Sequence, residues 1–95
     1  MSDPPLLVLA SLSDGDKHGY AMIEDIERFA GLRLGPGTLY GAITRLEERG
    51  WIKPVTSHDR RRPYTLTASG REYLEVQLDT LGRVVKTAAR RLRHA

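Results

Sequence analysis

Cysteine is absent from this chain of 95 residues, and aromatic side chains are few: one tryptophan, four tyrosines and one phenylalanine. The lack of cysteine excludes disulfides and thiolate metal sites, and it is compatible with a reducing compartment. No run of apolar residues approaches the roughly 18 that a membrane helix needs. The apolar run from Leu6 to Ala10 is too short for a signal-peptide core and has no basic flank before it. We therefore expect a cytoplasmic protein with no membrane partner.

Groups of residues that would support catalysis or bind a metal ion are missing as well. The three histidines are far apart, and none has a second ligand at metal-binding spacing. Ser57, His58 and Asp59 are consecutive, and neighbours in sequence rarely form a nucleophile, a base and an orienting carboxylate. The segment Gly35-Pro36-Gly37 lacks the lysine and the spacing of a phosphate-binding loop. We expect neither an enzyme nor a bound cofactor.

Positive charge is in mild excess and is unevenly distributed. Fifteen lysines and arginines stand against twelve acids, a formal net charge of +3. One basic cluster is Arg60, Arg61 and Arg62, and a second runs from Arg83 to Arg93. This asymmetry indicates an anionic partner, nucleic acid before membrane. A chain of this length allows one domain with a modest core, so oligomerisation is expected.

Apolar spacing and capping residues predict four helices. A short buried helix follows Pro4 and Pro5, and a second helix runs from about Gly19 to Ala30. The face predicted to be buried in that second helix consists of Tyr20, Ile23, Ile26, Phe29 and Ala30. The third helix opens at Pro36, buries Leu39, Ile43 and Leu46, and ends at Gly50. The fourth is predicted over Ala68–His94, with Thr67 as its N-cap.

The outward face of the third helix is the candidate surface for reading DNA. It carries Gly37, Gly41, Thr44 and Glu48. The small size of the first three lets a helix approach the floor of the major groove. Thr38 and Tyr40 can donate hydroxyl hydrogen bonds to phosphates, and Arg45, on the flank, can reach a phosphate or a guanine edge. An ordinary solvated helix face has the same composition, so this helix alone does not decide between the two interpretations.

Two short strands and a basic loop follow that helix. Residues Trp51–Thr56 and Pro63–Leu66 are predicted strands, and residues 57–62 connect them. Arg60, Arg61 and Arg62 then lie at the tip of a hairpin, where they repel one another unless counterions or phosphates attend them. A charge run is usually a solubilising loop. Its position directly after the third helix favours contact with the DNA backbone or minor groove.

The fourth helix carries a sustained heptad seam. Its apolar residues alternate spacings of four and three without a break. The seam residues are Leu74, Leu78, Leu81, Val85, Ala88 and Leu92. A helix of this span is about 40 Å long at 1.5 Å per residue, more than so small a domain can cover. Packing back on its own domain and pairing with a second chain, parallel or antiparallel, are both open, and the length favours pairing.

Four segments together resemble the PadR family of winged-helix transcriptional regulators. They are H-G-Y at His18–Tyr20, G-P-G-T-L-Y at Gly35–Tyr40, R-L-E-E-R-G-W-I at Arg45–Ile52, and R-R-R-P-Y-T-L-T-A-S-G-R at Arg60–Arg71. They keep the family's order and spacing over nearly the whole chain. The single long terminal helix is similar to the short subgroup of this family, which dimerises through it. The family commonly has a serine where this chain has Gly35.

The resemblance implies a winged helix-turn-helix over residues 1–66 and a dimerisation helix over residues 67–95, mostly α with a small β-hairpin. It implies a homodimer that binds double-stranded operator DNA and represses transcription, often in response to a small molecule. Thr38, Tyr40, Thr44 and Arg45 match its recognition-helix positions, and the three hairpin arginines match its wing. A winged-helix module that binds protein and never DNA is the alternative; such a module should expose an apolar patch.

Overall fold

The computed structural model describes residues 3–57 and 60–95. His58 and Asp59, which the sequence places near the tip of the hairpin, lie outside the described residues. The elements within the described residues, in chain order, are α1 Pro4–Leu12, α2 Gly19–Ala30, α3 Pro36–Glu48, β1 Ile52–Pro54, β2 Tyr64–Leu66 and α4 Ala68–Arg93. This order confirms the predicted mostly helical class with one small antiparallel hairpin.

Local side-chain chemistry fixes where the helices begin and end. The His18 ring accepts a hydrogen bond from the Ala21 amide at 3.3 Å and caps α2, which ends at Gly31 in the left-handed region with φ 72°. Thr67 caps α4 in the same way, because its hydroxyl oxygen accepts from the Gly70 amide at 3.0 Å. These contacts satisfy amides that a helix start otherwise leaves unpaired.

One core holds α1, α2 and α3 against the hairpin and the start of α4. Helix α1 is central to it, because it contacts each of the other three helices and strand β2. The buried apolar residues are Val8, Leu9, Leu12, Met22, Ile23, Ile26, Leu34, Leu39, Ala42, Ile43, Leu46, Ile52, Tyr64 and Leu74. Helix α4 therefore contributes only its first turns to the core, through Gly70 and Leu74. The domain boundary between residues 66 and 67 stays a prediction.

Helix α2 is rotated relative to the face predicted from its sequence. Met22 is fully buried beside Ile23 and Ile26, and it takes the place on the core face that the prediction gave to Tyr20. The prediction was wrong for Tyr20 and Phe29, which are 56% and 50% exposed, and for Ala30, which is also exposed. Phe29 and Ala30 lie in the last turn of the helix.

The hairpin is shorter than predicted and is tied to the first turn of the chain. Its ladder pairs Ile52 with Leu66 and Pro54 with Tyr64, and a Val55 amide bond to the Pro63 carbonyl at 2.9 Å extends it. Pro63 has no amide to donate back to Val55, so the regular pairing ends at Pro54 and Tyr64. An isolated bridge between Lys17 and Tyr64 adds the turn before α2 as a third strand-like element. The hairpin therefore has a fixed base on the core.

Lys17 also anchors the connection between α1 and α2. Its ammonium group donates to the Ser11 carbonyl and to Asp14, and the buried Ser11 hydroxyl donates to Asp25 at 2.7 Å. The hydrogen bond from Lys17 lowers the pKa of the exposed Asp14 carboxyl, and attraction between the two charges adds to the effect. Asp25 is thus partly buried, and its carboxylate accepts the hydrogen bond that stabilises this connection.

Substitution of Ile26 and Phe29 distinguishes the observed face of α2 from the predicted one. Ile26→Ala removes a fully buried side chain and should lower the free energy of unfolding by about 2–5 kcal/mol. Phe29→Ala, the matched control, should cost about 1 kcal/mol or less because that ring is half exposed. Urea denaturation at one protein concentration measures both. Equal losses for the two variants would contradict the observed packing.

Candidate nucleic-acid interface

Helix α3 is divided lengthwise into a buried stripe and an open strip. The buried stripe consists of Leu39, Ala42, Ile43 and Leu46. On the opposite side, Gly37, Gly41 and Thr44 are all exposed. A methyl group placed on either glycine would meet no atom of the chain within 4 Å. Glycine in a helix costs roughly 1 kcal/mol relative to alanine, so the fold itself gives no reason for these two glycines.

Polar side chains flank this strip on both sides. The Thr44 hydroxyl donates to the Tyr40 carbonyl at 3.0 Å, which leaves its oxygen lone pairs facing outward as acceptors. Arg45 borders a shallow pocket of 210 Å³ together with Arg49, Trp51 and Tyr73. Thr38 is exposed near the start of the helix. The side chains predicted to read DNA therefore lie along one accessible side of α3.

Tyr40 is supported by the start of α2. It is half exposed, and its phenol ring lies against the backbone of Gly19, so close that a methyl group at Gly19 would overlap the hydroxyl end of the ring. Gly19 is buried and helical, and the absence of a side chain there lets the Tyr40 ring lie this close. The motif His18-Gly19-Tyr20 does not reveal this role of Gly19, because contact between two helices leaves no trace in the spacing of residues along one of them.

The wing presents its arginines next to a shallow groove. Arg60, Arg61 and Arg62 are all exposed, and Arg60 and Arg62 border a groove of 470 Å³ along Pro54 and Val55. Arg62 has a left-handed backbone with φ 40°, which is unfavourable for a residue with a side chain. The prediction of a basic wing is thus matched in exposure, while its contact with DNA stays a prediction.

The predicted dimer seam separates into a buried end and an exposed remainder. Leu74 is 4% exposed and belongs to the core of its own chain, so it has little surface left for a partner. From Leu78 onward the seam is open. The seam residues Leu78, Leu81, Val85, Ala88 and Leu92 are all exposed to solvent. An uninterrupted apolar stripe on a helix that projects beyond the core is typical of a surface that pairs with another helix.

Two further findings concern metal ions and membranes. Within residues 3–57 and 60–95, no three histidine or acidic side chains come close enough to hold a metal ion. No helix in the same ranges combines the length and apolarity needed to cross a membrane.

The arrangement of these elements defines the class of protein. Helices α2 and α3 are joined by a short connection, α3 has one open side, and a two-stranded wing follows it directly. This is the winged helix-turn-helix architecture, in which the second helix of the pair faces the major groove. The particular family within this class follows from the similarity of the chain to known proteins.

Residues 8–76 match the transcriptional regulator PadR-like family, and the chain belongs to that family. The resemblance drawn from the sequence motifs is confirmed. PadR-like regulators bind DNA, and they are in general not enzymes. A crystal structure of a PadR family transcription regulator from hypervirulent Clostridium difficile R20291 matches with a TM-score of 0.85. The two chains are 26% identical, and the match covers 94% of this chain and 97% of that one.

Two relatives are similar in sequence over most of this chain. An uncharacterized 37.1 kDa protein in transposon TN4556 of Streptomyces fradiae is 46% identical over 83 residues, which are 87% of this chain. The transcriptional regulator Rv3488 of Mycobacterium tuberculosis is 35% identical over 72 residues, which are 73% of this chain. The chain spans 24% of the length of the first relative and 66% of the second.

The contact between Gly19 and Tyr40 yields a double-mutant test. Gly19→Ala should displace the Tyr40 ring, because the flexible ring can move and the α2 backbone cannot, and DNA affinity should fall as it does in Tyr40→Ala. In the Tyr40→Ala background, Gly19→Ala should have no further effect on DNA affinity, because the ring that the methyl group displaces is already gone. The effects of two contacting residues are therefore not additive. Fluorescence anisotropy with a labelled duplex measures all four proteins. Additive decreases in affinity would show that Gly19 does not act through Tyr40.

Proposed function

We propose that this chain is a sequence-specific DNA-binding regulator that acts as a homodimer and represses transcription from an inverted-repeat operator. The observation that carries the proposal is the open strip of Gly37, Gly41 and Thr44 on α3, flanked by Tyr40 and Arg45. The strip has a shape that suits the floor of the major groove, and its flanks carry the groups that bind phosphates and base edges. The relative from Mycobacterium tuberculosis, named a transcriptional regulator, supports the same role.

The homodimer rests on the exposed seam of α4. This helix has 26 residues and is therefore about 39 Å long, which is most of the 55 Å that the chain measures along its longest axis. Leu92 is 77% exposed and Val85 is 64% exposed, and burial of such side chains by a second copy is favourable. Two copies related by a two-fold axis present two copies of α3, and matching half-sites in DNA are then inverted repeats.

The alternative function is a winged-helix module that binds another protein. It would place an apolar contact surface on the wing or on α3. Of the large apolar side chains that are strongly exposed, six lie on α4, where the dimer accounts for most of them. On α3, Tyr40 is the exposed aromatic residue, and it is amphipathic. The distribution therefore favours DNA. A small-molecule effector, a repressing role and a cytoplasmic location stay predictions from the family resemblance and composition.

The wing arginines are expected to bind the DNA backbone without reading its sequence. Replacing Arg60, Arg61 and Arg62 with alanine should weaken binding to all duplexes alike. The dependence of log affinity on log salt should flatten by about 0.9 units for each phosphate that the variant no longer neutralises. Both effects are measured by salt titrations of binding to two duplexes, one selected with the wild-type protein and one of scrambled sequence. Thr44→Val and Arg45→Ala should instead change preference at particular base pairs, by about 1–3 kcal/mol each.

A matched control for the wing is the basic face of α4. Replacing Arg83, Lys86 and Arg90 with alanine removes the same number of charges from a face that points away from the seam. The salt dependence should then stay close to that of the wild type. If this variant flattens the salt dependence and the wing variant does not, the phosphate contacts lie on α4 and the proposed role of the wing is wrong. If the wild-type protein binds no duplex at low salt, the DNA-binding proposal is wrong and the protein-binding alternative takes its place.

The dimer can be tested with one charge placed on either side of α4. Leu78→Glu and Leu81→Glu place a carboxylate in the seam, where burial without a partner is unfavourable, and should give monomers. Val76→Glu is the matched control: Val76 is 58% exposed but lies on the opposite side of the helix, so the dimer should persist. Light scattering at micromolar concentration measures the mass. A wild-type mass of one chain would contradict the dimer.

A further inference from the structure

The start of helix α4 is hydrogen-bonded directly to the turn that follows α3. The Thr67 hydroxyl donates to the Gly50 carbonyl at 2.7 Å, and the Ser69 hydroxyl donates to the same carbonyl at 3.0 Å. The Thr67 amide donates to the Trp51 carbonyl at 3.0 Å. From the order of the elements one would expect α3 and α4 to be linked only through the strands of the wing. These bonds provide a much shorter connection.

Gly70 brings the two elements into backbone contact. A methyl group at this position would overlap the carbonyl oxygen and carbon of Trp51 and would press on the Leu66 side chain. The atoms it meets first belong to the backbone, which cannot rotate aside as a flexible side chain can. Gly70 is buried within α4 and has ordinary helical geometry, so close approach explains the glycine. A larger residue must push the start of α4 away from the end of α3.

An aromatic stack fixes the same joint one turn further along. The Trp51 and Tyr73 rings lie 3.7 Å apart between centroids and only 15° from parallel. The Arg49 guanidinium lies 5.4 Å from the centre of the Trp51 ring. Arg49 caps the end of α3 and Tyr73 belongs to α4, so these side chains connect the two helices and resist rotation of one about the other. We call the group formed by Gly70, Trp51 and Tyr73 the α3–α4 joint.

We propose that the α3–α4 joint sets the distance between the two DNA half-sites that the dimer accepts. The proposal rests on the proposed function, because it needs a dimer formed through α4 and DNA bound through α3. About 15 residues separate Gly70 from the middle of the exposed seam, a lever of roughly 22 Å. A tilt of about 10° at the joint moves α3 by about 4 Å relative to the partner, roughly one base-pair step of 3.4 Å.

Gly70, Trp51 and Tyr73 are positioning residues in this proposal. The geometry gives them no part in reading bases, so a change at the joint leaves recognition of one half-site intact. The change instead alters which spacing lets both copies of α3 bind at once. Spacing preference and half-site affinity therefore separate a change in the joint from a loss of folded protein.

The experiment measures affinity for duplexes that carry two half-sites, first selected with the wild-type protein, with the spacer between them varied in steps of one base pair. Single half-site duplexes are measured in parallel. Gly70→Ala tilts the joint, and Tyr73→Leu removes the stack but keeps an apolar side chain, so one variant stays informative if the other does not fold. Glu72→Ala is the matched control, because Glu72 is exposed on the same turn of α4.

Both joint variants should lose about tenfold affinity at the wild-type spacing, the scale of one mismatched base pair, and should move or flatten the preferred spacing. Their affinity for a single half-site should change by no more than about twofold, and Glu72→Ala should behave as the wild type does. Folded, dimeric joint variants that keep the wild-type spacing preference would overturn the proposal, as would the same shift in Glu72→Ala. A wild type without any preference for paired half-sites would instead overturn the proposed function.

Discussion

The structure depends on one constraint: α3 must be held by a single side so that its other side stays free. Four side chains hold it, and all four are almost completely buried against α1 and its neighbours. Leu39 and Ala42 are completely buried, while Gly41 between them in the helix has no neighbour that a methyl group would touch. A domain of this size has few other residues available for a core. The residues on the buried side of α3 are therefore constrained by packing in the core. Those on the open side are free for the proposed contact with DNA.

Helix α4 is also divided into a buried part and a free part, but the division runs along its length, whereas in α3 it runs between two faces. Its start is part of the core through Gly70 and Leu74, and the remainder extends the same apolar stripe into solvent. The periodicity passes from one part to the other without interruption. Helix α4 is unbroken from the core to the end of the seam, so a change of angle at the joint displaces its far end. The open part of the stripe is the surface on which a second copy is proposed to pack.

Features that depend on neighbouring residues could be predicted from the sequence. The ends of α2 and the start of α4 follow from His18, Gly31 and Thr67, each of which acts on the backbone a few residues away. Features that depend on contact between distant segments could not. Tyr20 has apolar character but lies off the face that α1 covers, and Leu74 has the same spacing as the open seam residues although it is buried. Heptad spacing identifies a stripe without saying what covers each part of it.

The glycines bear on whether the candidate site is an ordinary solvated helix face. Gly31 and Gly50 have positive φ values that other residues adopt with difficulty, and Gly19 and Gly70 lie where a methyl group would overlap a neighbouring segment. These four have reasons within the fold. Gly37, Gly41 and Gly82 have neither reason, and each weakens the helix that contains it. Two of these three lie on the open strip of α3, and the third lies beside the exposed seam of α4. Both are surfaces on which an approaching helix or groove would gain from a missing side chain. The helical glycines that the single chain does not explain thus coincide with the two surfaces where DNA and a second copy are proposed to bind.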